Sequence, residues 1–306
     1  MRWGRPLPAQ VQAGVALPFL ISTLVWGSTW FVITTQLAYA PAAWSIAWRF
    51  LLGAVAMFGV AAAMRAPLLL PRAAHGLALV VGVTQFVVNY LFVYGAEAQI
   101  ASGLVAIVSA LLLVPNALFA RAFLGQAVSR RFLIGSAVAI AGLALLFAHE
   151  LGRDAADRGR VLLGVALSLG GVMSASTANV LQATQRARAL PAPTLLAWSM
   201  AYGAVIDVAL ACLTDWPPRF PLAPAYIAGV LYLALIGSAL TFSLYFGLIR
   251  RVGPARAGYV GVLIPVVAMA LSTMFEGYRW TATAAAGATL ALAGLLVAMR
   301  ARSPAR

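Results

Sequence analysis

The sequence predicts an all-α polytopic membrane bundle of ten transmembrane helices, built as two inverted five-helix repeats. Three observations carry this expectation. The 306-residue chain is 63% hydrophobic and only 9% charged, whereas soluble domains carry about 25% charged residues. Ten apolar runs are each long enough to cross about 30 Å of hydrocarbon as a helix. Short stretches of the first half also recur, in order, in the second. An outer-membrane barrel is excluded, because its strands alternate apolar and polar over about ten residues.

Taken in order, the first run spans 14–35 and carries Trp26 and Trp30. It is too long for the apolar core of a signal peptide, although Ala38-Tyr39-Ala40 resembles a cleavage site. The second, 42–64, has Trp44 and Trp48 near its start and Arg49 within it. The third, 75–96, holds Thr84, Gln85, Asn89, Tyr90 and Tyr94. The fourth, 101–124, is interrupted by Pro115 beside Asn116. The fifth, 132–149, is rich in Gly and Ala and suits close peripheral packing. The sixth, 160–185, carries Ser174, Ser176, Thr177, Asn179 and Gln182. The seventh, 193–214, contains Asp207. The eighth, 224–249, carries Tyr232, Ser238, Thr241 and Tyr245 and ends at Arg250-Arg251. The ninth, 254–275, opens at Gly253-Pro254 and holds Tyr259 and Pro265. The tenth, 281–299, again offers Gly and Ala.

All 21 basic residues are arginines, and they set the orientation. With ten crossings, one side collects Arg2, Arg5, Arg65, Arg72, Arg121, Arg130, Arg131, Arg186, Arg188, Arg250, Arg251, Arg256, Arg300, Arg302 and Arg306, with no acid among them. The other side holds Arg153, Arg158, Arg160, Arg219 and Arg279 beside Glu97, Glu150, Asp154, Asp157, Asp215 and Glu276. The positive-inside rule then puts both termini in the cytoplasm of a multi-pass protein of the cell inner membrane. The net charge of +14 is thus directed at anionic lipid, and no nucleic-acid partner is expected. Cys212, His75 and His149 supply no metal-ligating pattern, so neither metal nor cofactor is expected.

Internal similarity divides the chain. Gly14-Val15-Ala16-Leu17 recurs at Gly164-Val165-Ala166-Leu167, and Ala43-Trp44-Ser45 recurs at Ala197-Trp198-Ser199. Ala141-Gly142-Leu143 recurs at Ala293-Gly294-Leu295, and Pro115 corresponds to Pro265. Residues 1–149 form the first repeat and 161–306 the second, joined by a polar periplasmic linker at 150–160 within one integrated membrane domain. Five crossings per half invert the second half, an arrangement that secondary transporters use around a midplane site.

The chain resembles the EamA type of the drug/metabolite transporter superfamily. The residues carrying the resemblance are Trp26-Gly27-Ser28, Arg49-Phe50, Ala101-Ser102, Pro115, Gly125-Gln126, Gly253-Pro254-Ala255-Arg256-Ala257, Pro265 and Glu276-Gly277. It departs from the family pattern at Thr29 and Gln126, where Asn and Glu are frequent. The resemblance implies a central cavity lined by the first, third, fourth, sixth, eighth and ninth helices. It also implies alternating access and the export or exchange of small metabolites such as amino acids. The expected function is secondary transport of small organic, amino-acid-like or amphipathic solutes. The alternatives are an integral-membrane enzyme or a channel, for which neither a catalytic constellation nor a charged ring is evident.

Polar groups inside hydrocarbon mark the candidate site. Trp26, Gln85, Asn89, Tyr90, Tyr94, Asn116, Asn179, Tyr245 and Tyr259 are the candidate cavity residues. For the asparagines the competing role is interhelical bonding, and for Ser and Thr it is bonding to their own helix. Trp44 and Trp198 fit an interfacial aromatic belt, while mid-helix Trp26 suits a cavity. Pro115 and Pro265 each free a carbonyl and are candidate hinges, or merely tolerated kinks. Arg49, Glu97, Asp207 and Glu276 are the candidate coupling or gating groups. Arg49 either binds a substrate carboxylate or snorkels to the interface, and Asp207 either takes a proton or partners Arg49. The expected partners are membrane lipid and a small-molecule substrate, with a homodimer left open.

Overall fold

The computed structural model describes residues 9–153, 157–252 and 259–300, with side chains from 15 to 148, 157 to 245, 248, and 260 to 298. The described residues form helices and connecting turns, without strands. The helices are α1 (Ala9–Leu37), α2 (Ala42–Ala63), α3 (Arg72–Glu97), α4 (Ser102–Leu124), α5 (Arg130–Arg153), α6 (Arg158–Gln182) and α7 (Ala192–Thr214). The segments Pro224–Leu231, Tyr232–Leu240 and Thr241–Val252 run on as α8. They are followed by α9 (Tyr259–Phe275) and α10 (Ala282–Arg300). Among the described residues, eight helices are long and apolar enough to cross a membrane, while the expected ninth and tenth spans are the shorter apolar helices Val260–Phe275 and Ala282–Ala298.

Prolines and glycines punctuate these elements. Pro41, Pro191 and Pro224 stand at the starts of α2, α7 and α8, where a missing N–H costs nothing. Gly125 (φ 66°) ends α4 and Gly277 (φ 70°) follows the end of α9, both in the left-handed region that glycine enters without strain. The turns close alike, with Gln126 N–H donating to Ala120 O at 3.2 Å and Tyr278 N–H to Ser272 O at 3.2 Å. The two glycines therefore end corresponding helices of the two halves with the same device.

The packing establishes the inversion. Helices α2 and α7 pair with Trp44 against the end of α7 and Phe58 against Trp198 near its start. Helices α4 and α9 pair with Ser102 beside Glu276, and Gly103 against Met269 and Ser272. Helices α5 and α10 pair with Gly135 against Gly294 and Leu146 against Gly287. Each is an antiparallel pair of equivalent helices, which requires the second half to be upside down relative to the first. The remaining contacts obey the same symmetry, since α1 lies on α9 as α6 lies on α4, and α3 lies on α6 and α7 as α8 lies on α1 and α2.

Small residues permit the closest approaches. A Cβ on Gly142 would stand 2.7 Å from Gly287 O, and one on Gly287 would stand 2.8 Å from Gly142 O. A Cβ on Gly82 of α3 would stand 2.5 Å from Ser199 O of α7. Large apolar side chains instead point outward, including Val55 (67% exposed), Phe123 (74%), Leu213 (82%) and Met274 (72%). That outward face suits lipid, where close contact between helices replaces hydrophobic burial as the source of cohesion.

Two tryptophans expected at an aromatic belt act as staples instead. Trp44 is only 2% exposed, and its indole N–H donates to Asp215 O at 2.8 Å. Its repeat equivalent, Trp198, donates to Leu68 O at 2.9 Å. Each ties the loop after one helix of the α2–α7 pair to the start of the other.

Candidate functional site

Two helices widen where the polar side chains gather. Val83–Val88 in α3 and Tyr232–Leu240 in α8 are π-helical. They occupy corresponding places in the two repeats. A π-turn inserts an extra residue into the helix and re-aims the side chains beside it, often at functional sites. In α8 the Ser238 hydroxyl donates to Leu233 O at 2.9 Å and the Thr241 hydroxyl to Ile236 O at 2.6 Å. In α3, Asn89 Nδ2 donates to Gln85 O at 3.3 Å. These five- and four-residue back-bonds help satisfy the loosened carbonyls. Asn89 is thus occupied within its own helix, while Gly171 of α6 approaches its Oδ1.

Arg49 occupies the centre of the described polar group. It is 1% exposed, so it does not snorkel to an interface. Its guanidinium lies 4.5 Å from the Tyr90 ring centroid and 5.4 Å from that of Phe50. Nη2 donates to Tyr90 Oη at 3.3 Å and Nε to Ser238 Oγ at 3.5 Å, both at the long end of hydrogen bonding. Among the described residues neither Nη1 nor the fully buried Tyr94 Oη makes a hydrogen bond of full geometry, although the guanidinium and the Tyr94 hydroxyl lie close enough to interact with each other. Guanidinium carries five donors in a planar fork that matches a carboxylate. Most of that capacity is open here, and no carboxylate lies within 4 Å among the described residues.

Aromatic rings continue from this cation towards α1. Phe50 packs on Phe86 (5.1 Å between centroids) and Tyr90 (4.7 Å), and Phe86 reaches Phe242 at 6.2 Å. Trp26 then lies edge-on to Phe242 at 5.2 Å and tilted to Tyr245 at 5.0 Å. The Trp26 indole donates to Gly237 O, inside the widened turn of α8, at 3.0 Å. One turn away, Ser28 Oγ and Tyr232 Oη are 2.6 Å apart. A cation at one end and a run of aromatic faces can hold a small anion with an apolar body.

The structure therefore brings Trp26, Arg49, Tyr90, Tyr94 and Tyr245 into one group and places the other candidates elsewhere. Asn116 and Asn179 meet each other across α4 and α6, with Nδ2 of Asn179 donating to Oδ1 of Asn116 at 3.4 Å. The side chain of Tyr259 and the residues 253–258 lie outside the described residues. Asp207 is 2% exposed on α7, and among the described residues neither carboxyl oxygen has a partner, so it does not pair with Arg49 although α2 and α7 pack together. Pro115 follows a break: α4 is interrupted at Leu111 and Leu112, and Val114 N–H donates to Leu111 O at 2.8 Å. Pro265 lies inside the continuous α9 and lines an apolar groove of about 410 Å³ with Ile107, Met269, Trp280 and Leu292. No member of the Arg49 group lines that groove.

At the end of the bundle that carries the acidic residues, Glu97 of α3 and Glu276 after α9 face Thr34 of α1. The Thr34 hydroxyl lies 3.3 Å from Glu97 Oε2 and 3.0 Å from Glu276 Oε1. Glu276 also accepts from Ser272 Oγ at 2.6 Å and from the Ser102 backbone N–H at 3.1 Å. Beside them, Gln36 Nε2 donates to Tyr226 O at 3.2 Å, and Ser45 Oγ lies 3.1 Å from Tyr226 Oη. These bonds fasten α1, α2, α3, α4, α8 and α9 together at that end. Thr34 and Gln36 were not candidates from sequence, because a lone Thr or Gln near a helix end has no signature separating it from solvated residues. The π-turns were equally hidden, since no residue pattern announces them.

The sequence matches the EamA-like transporter family over residues 14–148 and again over 162–300. A crystal structure of a protein 16% identical in sequence superposes with a TM-score of 0.67, covering 94% of this chain and 97% of that one. At that identity the likeness concerns the fold. No curated protein matches the chain by sequence.

Proposed function

Because the chain belongs to the EamA-like transporter family, we propose that it is a secondary transporter of small organic carboxylates, of amino-acid-like or amphipathic character, acting as an exporter or exchanger by alternating access. The observation that carries this reading is Arg49, a buried cation with an unpartnered Nη1 and no carboxylate within ion-pairing distance among the described residues. A buried charge is costly unless it is paired, and intramembrane cations mark substrate or ion pathways. An incoming carboxylate completes the guanidinium fork and also reaches the Tyr94 hydroxyl beside it. The aromatic faces from Phe50 to Trp26 receive the rest of the solute. In this reading the chain crosses the inner membrane ten times with both termini in the cytoplasm. The broken α4 at Pro115 flexes against α9, and Asn116, Asn179 and Asn89 line the path beyond the aromatic group.

The test is counterflow in proteoliposomes with a panel of small carboxylates, each paired with its primary amide. Carboxylates should exchange and their amides should not. Arg49→Gln should cut carboxylate counterflow by at least about thirtyfold, the loss expected on removing one partner of a buried charge pair. Arg49→Lys should retain part of it. Equal exchange of acids and amides would remove the anionic substrate class, and no counterflow of any solute would remove the transporter reading.

A further inference from the structure

Thr34 has one hydroxyl hydrogen and three acceptors in reach of it: the carbonyl of Trp30 in its own helix at 3.2 Å, and two carboxylates. Its Oγ1 lies within hydrogen-bond distance of Glu97 Oε2 at 3.3 Å and of Glu276 Oε1 at 3.0 Å. An ionised carboxylate only accepts, whereas a hydroxyl donates once and can accept as well. Two ionised carboxylates cannot both bond this hydroxyl. The surroundings assign the roles. Glu276 receives the Ser272 hydroxyl and the Ser102 N–H in addition to Thr34, the environment of an anion. Glu97 is 5% exposed, and among the described residues its Oε1 has no partner and Thr34 alone bonds its Oε2. The pattern closes when Glu97 carries the hydrogen. Its O–H then donates to Thr34 Oγ1, and the Thr34 O–H donates to Glu276.

We propose that Glu97, Thr34 and Glu276 form a one-proton binding site whose occupancy holds the acidic end of the bundle shut, so that the coupling ion of the transport cycle is a proton. This rests on the secondary-transporter reading above and deepens it. The site joins α1, α3, α4 and α9, helices from both repeats. When Glu97 releases its proton to water at that end, two like charges share one hydrogen and repel, and α3 and α9 part. Rebinding a proton restores the chain of bonds. The charged and titratable groups around Glu97 are Glu276 at α9, Arg49 of α2 and Tyr94 of α3, all within electrostatic reach. Arg160 of α6 donates to the adjacent Ala98 O at 3.4 Å, and Tyr278 and Arg279 follow Glu276 in the chain. Asp207 exerts no resolved influence on this group.

The experiment needs no substrate. Infrared difference spectra of the purified protein in lipid, recorded across a pH titration, should contain the carbonyl stretch of a protonated carboxylic acid that disappears as pH rises. The comparison is made in an Asp207→Asn background, which removes the band of the other buried, unpartnered acid; there Glu97→Gln should abolish the remaining band. Persistence of that band in the double variant, or its absence from Asp207→Asn alone, would overturn the assignment. Glutamine keeps the size of the acid and offers an N–H to Thr34, so Glu97→Gln should hold the end shut at every pH. Amide hydrogen exchange at residues 97–101 and 276–280, corrected for the intrinsic rate, should accelerate with pH in the wild type and stay constant in Glu97→Gln. Constant protection in the wild type would overturn the latch. Thr34→Val removes the bridge with little change of shape and should move the band, and an unmoved band would overturn the bridging role. Absence of the band from the wild type would overturn the proton site while wild-type carboxylate counterflow still stood, whereas absent counterflow with an intact band would sink the transporter reading and the coupling role with it, leaving the one-proton site.

Discussion

The Trp26 indole of α1 donates its hydrogen to the Gly237 carbonyl of α8, 3.0 Å away. That carbonyl belongs to a π-helical turn, where the regular α-helical bonding is interrupted. A Cβ on Gly237 would stand 2.9 Å from Thr29 Cγ2, so α1 and α8 touch closely at the same level. The contact joins the first helix of one half to the third helix of the other. Its symmetric counterpart lies between α6 and α3, where Ser174 Oγ donates to Thr84 O at 2.7 Å.

Trp26→Phe keeps an aromatic ring against Phe242 and Tyr245 but removes the donor to Gly237. The loss in stability should be about 1 kcal/mol, the net worth of one hydrogen bond. Transport should fall further than stability if the contact sets the α8 turn. Thermal unfolding in detergent, measured beside counterflow, separates the two effects.

Gly142→Ala and Gly287→Ala should each destabilise the α5–α10 pair, because the added methyl meets backbone rather than a flexible side chain. A cost of about 1–3 kcal/mol is expected, as for overpacked cores. Gly59→Ala is the matched control, since nothing lies within 4 Å of its Cβ position. Denaturation midpoints should fall for the first two variants and stay level or rise for the third.

Asn116 and Asn179 should couple weakly. Interhelical polar pairs in membranes average about 0.6 kcal/mol in double-mutant cycles, and the 3.4 Å separation is long. A cycle on thermal stability of Asn116→Ala, Asn179→Ala and the double variant should return a coupling of about that size. If the pair lines the solute path, Asn179→Ala lowers transport beyond what its abundance and stability explain. Unchanged counterflow would leave the two amides as helix-to-helix contacts alone.

A reporter active only in the cytoplasm, fused after Arg306, should give signal, and one active only in the periplasm should not. A reporter inserted at the Gly125–Ser129 turn should behave like the first. Reversal of either result would invert the orientation assigned from the arginines.

Composition and period made the helices and their inversion legible. The repeat pairing of Pro115 with Pro265 and of Trp44 with Trp198 identifies equivalent helices from the residues alone. What those residues do was less legible, because their roles depend on neighbours far away in sequence. Trp44 reads as a belt residue until its partner, Asp215 O, is known. Pro265 reads as a substrate-facing hinge, yet it borders an apolar groove between α4, α9 and α10. Arg49 could be singled out as the one arginine inside a run, but whether an acid met it depended on how α2 and α7 rotate about their axes. That rotation leaves Asp207 without a partner. Gln85 and Asn89 stand four residues apart, but the π-turn that runs through Val83–Val88 was not visible in the residues.

The tight α5–α10 contact has a consequence for how the protein is made. α5 is the last helix of the first half and α10 the last helix of the second, so α5 leaves the ribosome long before the helix it packs against exists. Its Gly135 and Gly142 face only lipid, or a temporary neighbour, until the final segment of the chain has been inserted. The α2–α7 and α4–α9 pairs impose similar delays on earlier helices. The α5–α10 contact therefore closes only at the end of synthesis, and a chain stopped before Ala282 leaves α5 without its main contact surface.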